Sequence, residues 1–211
     1  MRRIRQELPK EECEKILNNA TAGVLSVLGD GGYPYGVPMS FVYAEGKLYF
    51  HSAVEGHKLD AIAKEDKCSF TIIDQDEIHP DEYTSYFRSV IAFGRIQRLE
   101  SMEELIHGLR LLGEKYNPGD HAGLQHEIGK SVAMPGGISH TRVAVLCMEI
   151  DHLSGTLVND ETLAVKEEFL NRNEELKSMY RADDDNMAVL YIQDATARFC
   201  SFSAPERKVT F

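Results

Sequence analysis

With 211 residues, 43% hydrophobic and 27% charged, the chain is long enough for one generous domain, or for one domain with a substantial appendage. Its net charge of −11 argues against nonspecific binding to nucleic acid or to an anionic membrane, since both need a cationic face. No stretch approaches the ~20 apolar residues that span a bilayer, and no apolar run follows the basic start Met1-Arg2-Arg3, so neither a membrane span nor a secretory leader is expected.

Residues 9–20 read as a helix: Pro9 suits a first turn, Glu11 and Glu12 favour the positive end of the dipole, and Cys13, Ile16 and Leu17 share a face. An apolar run over 22–28 ends at the turn Gly29-Asp30-Gly31-Gly32. A strand over 35–43, a turn at Glu45-Gly46-Lys47 and a strand over 48–53 make a hairpin. Residues 56–64 look helical, with Leu59, Ile62 and Ala63 on one side, and 68–74 form a strand. The polar stretch 76–82, with Pro80, reads as a loop. Residues 86–99 form a long strand with a bend at Gly94. A helix over 101–115 starts with a capping box, Ser101 and Glu104, and carries the stripe Leu105, Leu109 and Leu112. Residues 117–141 form a long loop rich in Gly, His and Pro, with a short helix near 124–132, and 143–150 form a strand. The tail reads as a helix over 161–180, an acidic turn over 183–186 and a hairpin of 187–193 with 196–202.

Tandem hairpins with a few helices between them predict a mainly β fold, an antiparallel sheet closed into a small barrel. Neither GxGxxG after a strand nor a Walker motif occurs, which leaves a doubly wound dinucleotide fold or a P-loop without support. The four cysteines, Cys13, Cys68, Cys147 and Cys200, are far apart and read as reduced core residues of a cytoplasmic protein. The eight histidines form neither HxH nor HExxH, and no metal site is expected.

Chemistry concentrates in Tyr49-Phe50-His51-Ser52-Ala53-Val54-Glu55-Gly56-His57-Lys58, a strand leading into a helix. A helix N-terminus exposes unpaired N–H groups and partial positive charge, so basic residues there are locally unfavourable. This helix nevertheless starts His57-Lys58. A bound phosphate resolves the conflict, accepting from backbone N–H, Ser52 and His57 and pairing with Lys58. The alternative is that Lys58 points to solvent and pairs with Asp60 or Glu55. In the preceding strand, 36, 38 and 40 are Gly, Pro and Ser, whereas odd positions are large and apolar. One face is then nearly bare, which suits either a plain edge or the approach of something flat.

The runs DGGYPYGVPMSFVY (30–43), GKLYFHSAVEGHKLD (46–60) and SYFRSVIAFGRIQ (85–97), in this order and after Met1-Arg2-Arg3, resemble the nitroimidazole-resistance (Nim-type) branch of the pyridoxamine 5′-phosphate oxidase-like split barrels. The resemblance covers roughly 1–155, and it implies a six-stranded antiparallel split β-barrel with flanking helices. It also implies a homodimer with a flavin, FMN with FAD as the other option, between the subunits. By the same resemblance Ser52, His57 and Lys58 hold the flavin phosphate, Val37, Pro38 and Met39 lie along the isoalloxazine ring, and Ser89 comes from the interface side. His51 falls where the branch carries a histidine near the reactive end of the flavin, although alternation puts it on the other face of the strand from Ser52.

The tail 173–211 is similar to the C-terminal end of a shorter branch of the same superfamily. The expected organisation is a flavin-binding domain over 1–155 and a helix-plus-hairpin extension over 156–211. The implied activity is FMN-dependent oxidoreduction, with NAD(P)H as reductant and a small planar acceptor such as a nitroaromatic. The rival is a flavin- or haem-binding carrier or sensor without strong turnover.

Overall fold

The computed structural model describes residues 6–132, 137–158, 170–171, 196–199 and 207–210. The chain divides into two units, Met1–Val158 and Asn159–Phe211. In chain order the first contains α1 (Lys10–Asn19), β1 (Ala22–Leu28), β2 (Pro34–Ser40), β3 (Val42–Ala44), β4 (Lys47–Ser52), α2 (His57–Lys64), β5 (Lys67–His79), β6 (Thr84–Arg98), α3 (Met102–Tyr116), α4 (His121–Val132) and β7 (Ala144–Val158). The strands make one seven-stranded sheet in the order β2-β1-β5-β6-β7-β4-β3, with every pairing antiparallel. Its two edges, β2 and β3, are consecutive in the chain and separated only by Phe41. A sheet whose ends are so joined must curl strongly. The ladder is not closed, and the architecture is consistent with a split barrel.

The inner face carries the core. Leu25, Phe41, Leu48, Phe50, Phe70, Ile72, Val90, Ile96, Leu146 and Met148 are all at most 1% exposed and form one cluster. Phe41, Phe50 and Phe70 meet at its centre, with Phe70 edge-on to both others at 4.8 and 5.0 Å. A second cluster lies on the outer face, where Leu105 and Leu112 of α3 cover Val42, Tyr49, Val145 and Cys147. Ser101 caps the helix as expected, its Oγ accepting from Glu104 N at 3.2 Å, and Glu104 Oε2 accepts from that hydroxyl at 2.7 Å in place of the Ser101 backbone N–H.

Several elements differ from the sequence reading. The single strand over 35–43 is interrupted at Phe41, giving seven strands rather than six. The hydroxyl of Tyr116 accepts from Phe41 N at 2.9 Å and lies 2.9 Å from Phe41 O, taking that residue's backbone out of the ladder. The expected loop over 76–82 is mostly strand, because β5 runs to His79 and pairs with β6 beyond a bulge between Ile73 and Gln75. This part of the hairpin is largely exposed, so its residues are polar without being a loop. The expected bend at Gly94 is a bulge in the β6–β7 pairing between Phe93 and Gly94. β7 continues to Val158, eight residues beyond the expected end at 150. The helix in the 117–141 segment starts at His121, three residues before the expected 124.

In the second unit β8 (Thr196–Phe199) pairs antiparallel with β9 (Arg207–Thr210), so the partner of 196–199 is a later segment than the expected 187–193. The expected strand 187–193 and acidic turn 183–186 lie outside the described residues, as does the helix over 161–180 apart from the helical residues 170–171.

Candidate functional site

β4 ends at Ser52 and α2 begins at His57, with four residues between them. Gly56 makes the turn at φ +133°, a conformation that side-chain-bearing residues rarely adopt. It is the N-cap of α2 and provides no side-chain cap. Its carbonyl accepts from Leu59 N at 2.8 Å and from Asp60 N at 3.1 Å, which leaves the N–H groups of His57 and Lys58 without a partner among the described residues. Ser52 is 7% exposed, and its hydroxyl has no hydrogen-bond partner among the described residues.

Lys58 is half-buried, and burial pushes its ammonium pKa below the ordinary lysine value. Neither Asp60 nor Glu55 pairs with it. Within seven residues of chain the protein thus has a half-buried cation, an unpartnered hydroxyl and a helix start without a side-chain cap, a set with the chemistry to hold an anion. These residues fit a flavin phosphate.

His57 has a different neighbourhood. Its Nδ1 lies 3.4 Å from Asp30 Oδ2, and its ring stands edge-on to Tyr35 at 4.7 Å. Asp30 also accepts from Lys64 Nζ at 2.8 Å, and that bond, more than the neighbouring charges, holds its carboxyl below the usual range. Asp30 is therefore a competitor for His57, and it belongs to a stretch that reads in the sequence as a turn and nothing more. The pair is tertiary, between positions 30 and 57, and leaves no local signal.

β2 carries the expected alternation. Tyr35, Val37 and Met39 turn inward to the core, whereas Gly36, Pro38 and Ser40 are exposed. The bare strip of β2 runs from Gly36 to Ser40, about 13 Å at ~3.3 Å per residue. At the Ser40 end it meets a cavity of about 520 Å³ between the sheet and α3 and α4, and His51 lines that cavity. His51 is exposed on the opposite face of β4 from Ser52, so it is not part of the phosphate cradle.

Ser89 pairs with Ile73 and Thr156 on the outer face of the sheet. It is seven residues, about 23 Å of strand, from Ile96, where α2 and β6 line a common cleft. Within one chain Ser89 is not brought to the cradle. Arg88 and Arg95 are each committed, to Asp74 Oδ2 at 2.6 Å and to Asp66 Oδ1 at 2.7 Å. Among the described residues no cluster of three or more His, Cys, Asp or Glu side chains could hold a metal, and no helix is long and apolar enough to cross a membrane.

The fold recurs in solved structures. A candidate 5-nitroimidazole antibiotic resistance protein from Bacteroides thetaiotaomicron matches with a TM-score of 0.56 at 22% identity, over 72% of this chain and 86% of that one. A conserved hypothetical protein from Mycobacterium tuberculosis matches with a TM-score of 0.61 at 15% identity, over 74% and 88%. An FAD- and haem-binding protein from Mycobacterium smegmatis matches with a TM-score of 0.55 at 19% identity, over 74% and 78%. No curated protein matches the chain. The sequence pattern of the family described as "Pyridoxamine 5'-phosphate oxidase" matches residues 9–156, which contain all of the cradle, the bare strip and the cavity. The chain belongs to the pyridoxamine 5′-phosphate oxidase family.

Proposed function

We propose that this protein is a homodimeric, cytoplasmic flavoprotein oxidoreductase that binds FMN, with FAD as the larger alternative. The observation that carries the proposal is the cradle at the start of α2: a half-buried Lys58 without a counter-ion, beside a helix start without a cap, just after the buried Ser52. Lys58 and the first N–H groups of α2 hold the phosphate, Ser52 donates to it, and His57 joins once it leaves Asp30. Val37, Pro38 and Met39 form the strand along which the ring lies, and exposed Pro38, which has no N–H, lets a flat group approach closely.

The flavin, when bound, supplies the electron or hydride transfer, and the chain supplies binding, orientation and exclusion of water. NAD(P)H is the reductant and a small planar molecule such as a nitroaromatic the acceptor. His51 faces the cavity at the far end of the strip, which supports a role toward the substrate and not toward the phosphate. Ser89 reaches a flavin only from a second copy, which supports a shared groove. The three described cysteines are free, in keeping with a reducing compartment.

The test is flavin retention. The double variant Ser52→Ala/Lys58→Ala should purify with less than a tenth of the wild-type flavin while keeping its circular dichroism. Full retention would place the phosphate elsewhere. Mass spectrometry of the released cofactor decides between FMN and FAD. A second reading, a flavin- or haem-binding carrier without strong turnover, is favoured by two structural neighbours, the FAD- and haem-binding protein and a flavocytochrome from Azotobacter vinelandii with a TM-score of 0.56 at 19% identity over 72% of this chain and 68% of that one. Bleaching of the flavin by NAD(P)H supports the oxidoreductase; a bound flavin that NAD(P)H does not reduce supports the carrier.

A further inference from the structure

Asp30 belongs to the turn between β1 and β2, yet its carboxylate bonds to α2. Oδ1 accepts from Lys64 Nζ at 2.8 Å, and Oδ2 lies 3.4 Å from His57 Nδ1. His57 and Lys64 are the first and last residues of α2, seven apart, so they share a side of the helix. Their backbones are about 10 Å apart along the axis at ~1.5 Å per residue. One carboxylate still reaches both, because helical side chains lean toward the N-terminus and the lysine stem is long. The β1–β2 turn is thereby strapped along the whole of α2.

The strap is lightly held. Residues 30–34 are all exposed, Tyr33 at 76%, so no apolar side chain among them anchors the turn in the core. Its internal bond, from Gly29 N to Tyr33 O at 2.8 Å, closes the turn on itself and not onto α2. A segment with so little buried surface shifts at low free energy. Its two arms are also unequal. The contact to Lys64 has the length of a full hydrogen bond, whereas that to His57 is long for one. The His57 arm therefore yields first, with Lys64 still holding the carboxylate nearby.

An anion that needs His57 meets a carboxylate already beside it. The apparent dissociation constant is then the intrinsic one divided by the fraction of molecules in which His57 is released. Removing the carboxylate removes that factor.

We propose that the β1–β2 turn is an autoinhibitory strap, in which the Asp30 carboxylate takes the place on His57 that a ligand phosphate needs and must be displaced for the phosphate to bind. That the phosphate is a flavin's rests on the function proposed above; the hold of Asp30 on His57 does not.

The test is a double-mutant cycle on flavin-free protein, titrated with FMN and separately with inorganic phosphate, both read by calorimetry. Asp30→Asn keeps the shape of the side chain and removes its charge. It should bind both ligands more tightly, by about threefold or more, as expected for release of an exposed charged contact. In a His57→Ala background most of that gain should vanish, because the strap then has nothing to withhold. Unchanged or weaker binding by Asp30→Asn overturns the proposal. An equal gain in both backgrounds overturns it too, since it would mean general repulsion between Asp30 and the ligand. Flavin lost from Ser52→Ala/Lys58→Ala with no gain in Asp30→Asn leaves the flavin reading standing and removes the strap. A gain for inorganic phosphate that depends on His57, in a protein that binds no FMN, keeps the strap and removes the flavin reading.

Discussion

At the scale of single residues, Lys58 decides the site. Burial disfavours its charged form, so its pKa is lowered, while a phosphate needs that charged form. In the flavin-free protein the unfolded state then holds the proton more tightly, and this costs stability below the lowered pKa; the cost fades as the pH rises through it. Affinity for FMN runs the other way. It is full while Lys58 is protonated and declines as the pH rises, beginning before the ordinary lysine value of 10.5. We expect the dissociation constant of FMN, measured by quenching of flavin fluorescence from pH 7 to 10, to rise more steeply in the wild type than in Lys58→Arg, whose guanidinium does not titrate there. Titration of the flavin itself would affect both proteins alike, so parallel profiles would remove Lys58 from the site. The conflict of a lysine at a helix start is legible in the sequence because it is local. The hold of Asp30 on His57 is not, because the fold alone makes neighbours of positions 30 and 57.

At the scale of elements, alternation carried most of the information. It marked the inner and outer faces of β2, while the glycine itself marked the irregularity at Gly94, where a Cβ would overlap the carbonyl oxygen of Glu149. It failed where both faces are wet, as in the 76–79 end of β5, because a strand without a dry side has no alternation to show. It failed also at Phe41, for another reason. The residue continues the inward series Tyr35, Val37, Met39, and only the Tyr116 hydroxyl, 75 positions away, shows that the strand breaks there. That hydroxyl also reaches the carbonyl of Thr21, so one side chain of α3 ties β2, β3 and the segment before β1 together. Tyr116→Phe removes the bond and leaves the buried N–H of Phe41 unpaired, which costs roughly 1–3 kcal/mol. Urea denaturation should show a midpoint lowered accordingly at unchanged slope. A loss under about 0.5 kcal/mol would mean that the ladder closes by itself.

At the scale of the molecule, one face is left open. α3 covers the outer side of β3, β4 and the start of β7, but across β1, β5, β6 and the rest of β7 the outer row carries Val24 at 39%, Ile73 at 70% and Phe93 at 43% exposure, with Ser89 among them. Exposed apolar side chains spread over one uncovered sheet face suit a contact surface. A second copy, the partner proposed above, would also give Ser89 a place, since a twofold axis would bring the partner's outer row beside the cradle that Ser89 cannot reach in its own chain. In such an interface every substitution occurs twice. With burial of a large apolar side chain worth ~1.5–3 kcal/mol, the pair Ile73→Lys and Phe93→Lys should weaken dimerisation by 100-fold or more. Sedimentation equilibrium should show a wild-type dimer and a monomeric variant with an unchanged far-ultraviolet spectrum. With the groove shared as proposed, the monomer should also lose most of its flavin, although Ser52, His57 and Lys58 are all intact in it. A variant that stays dimeric would move the interface to another face. A monomer that keeps its flavin would confine the whole site to one chain and return Ser89 to a purely structural place in the middle of β6.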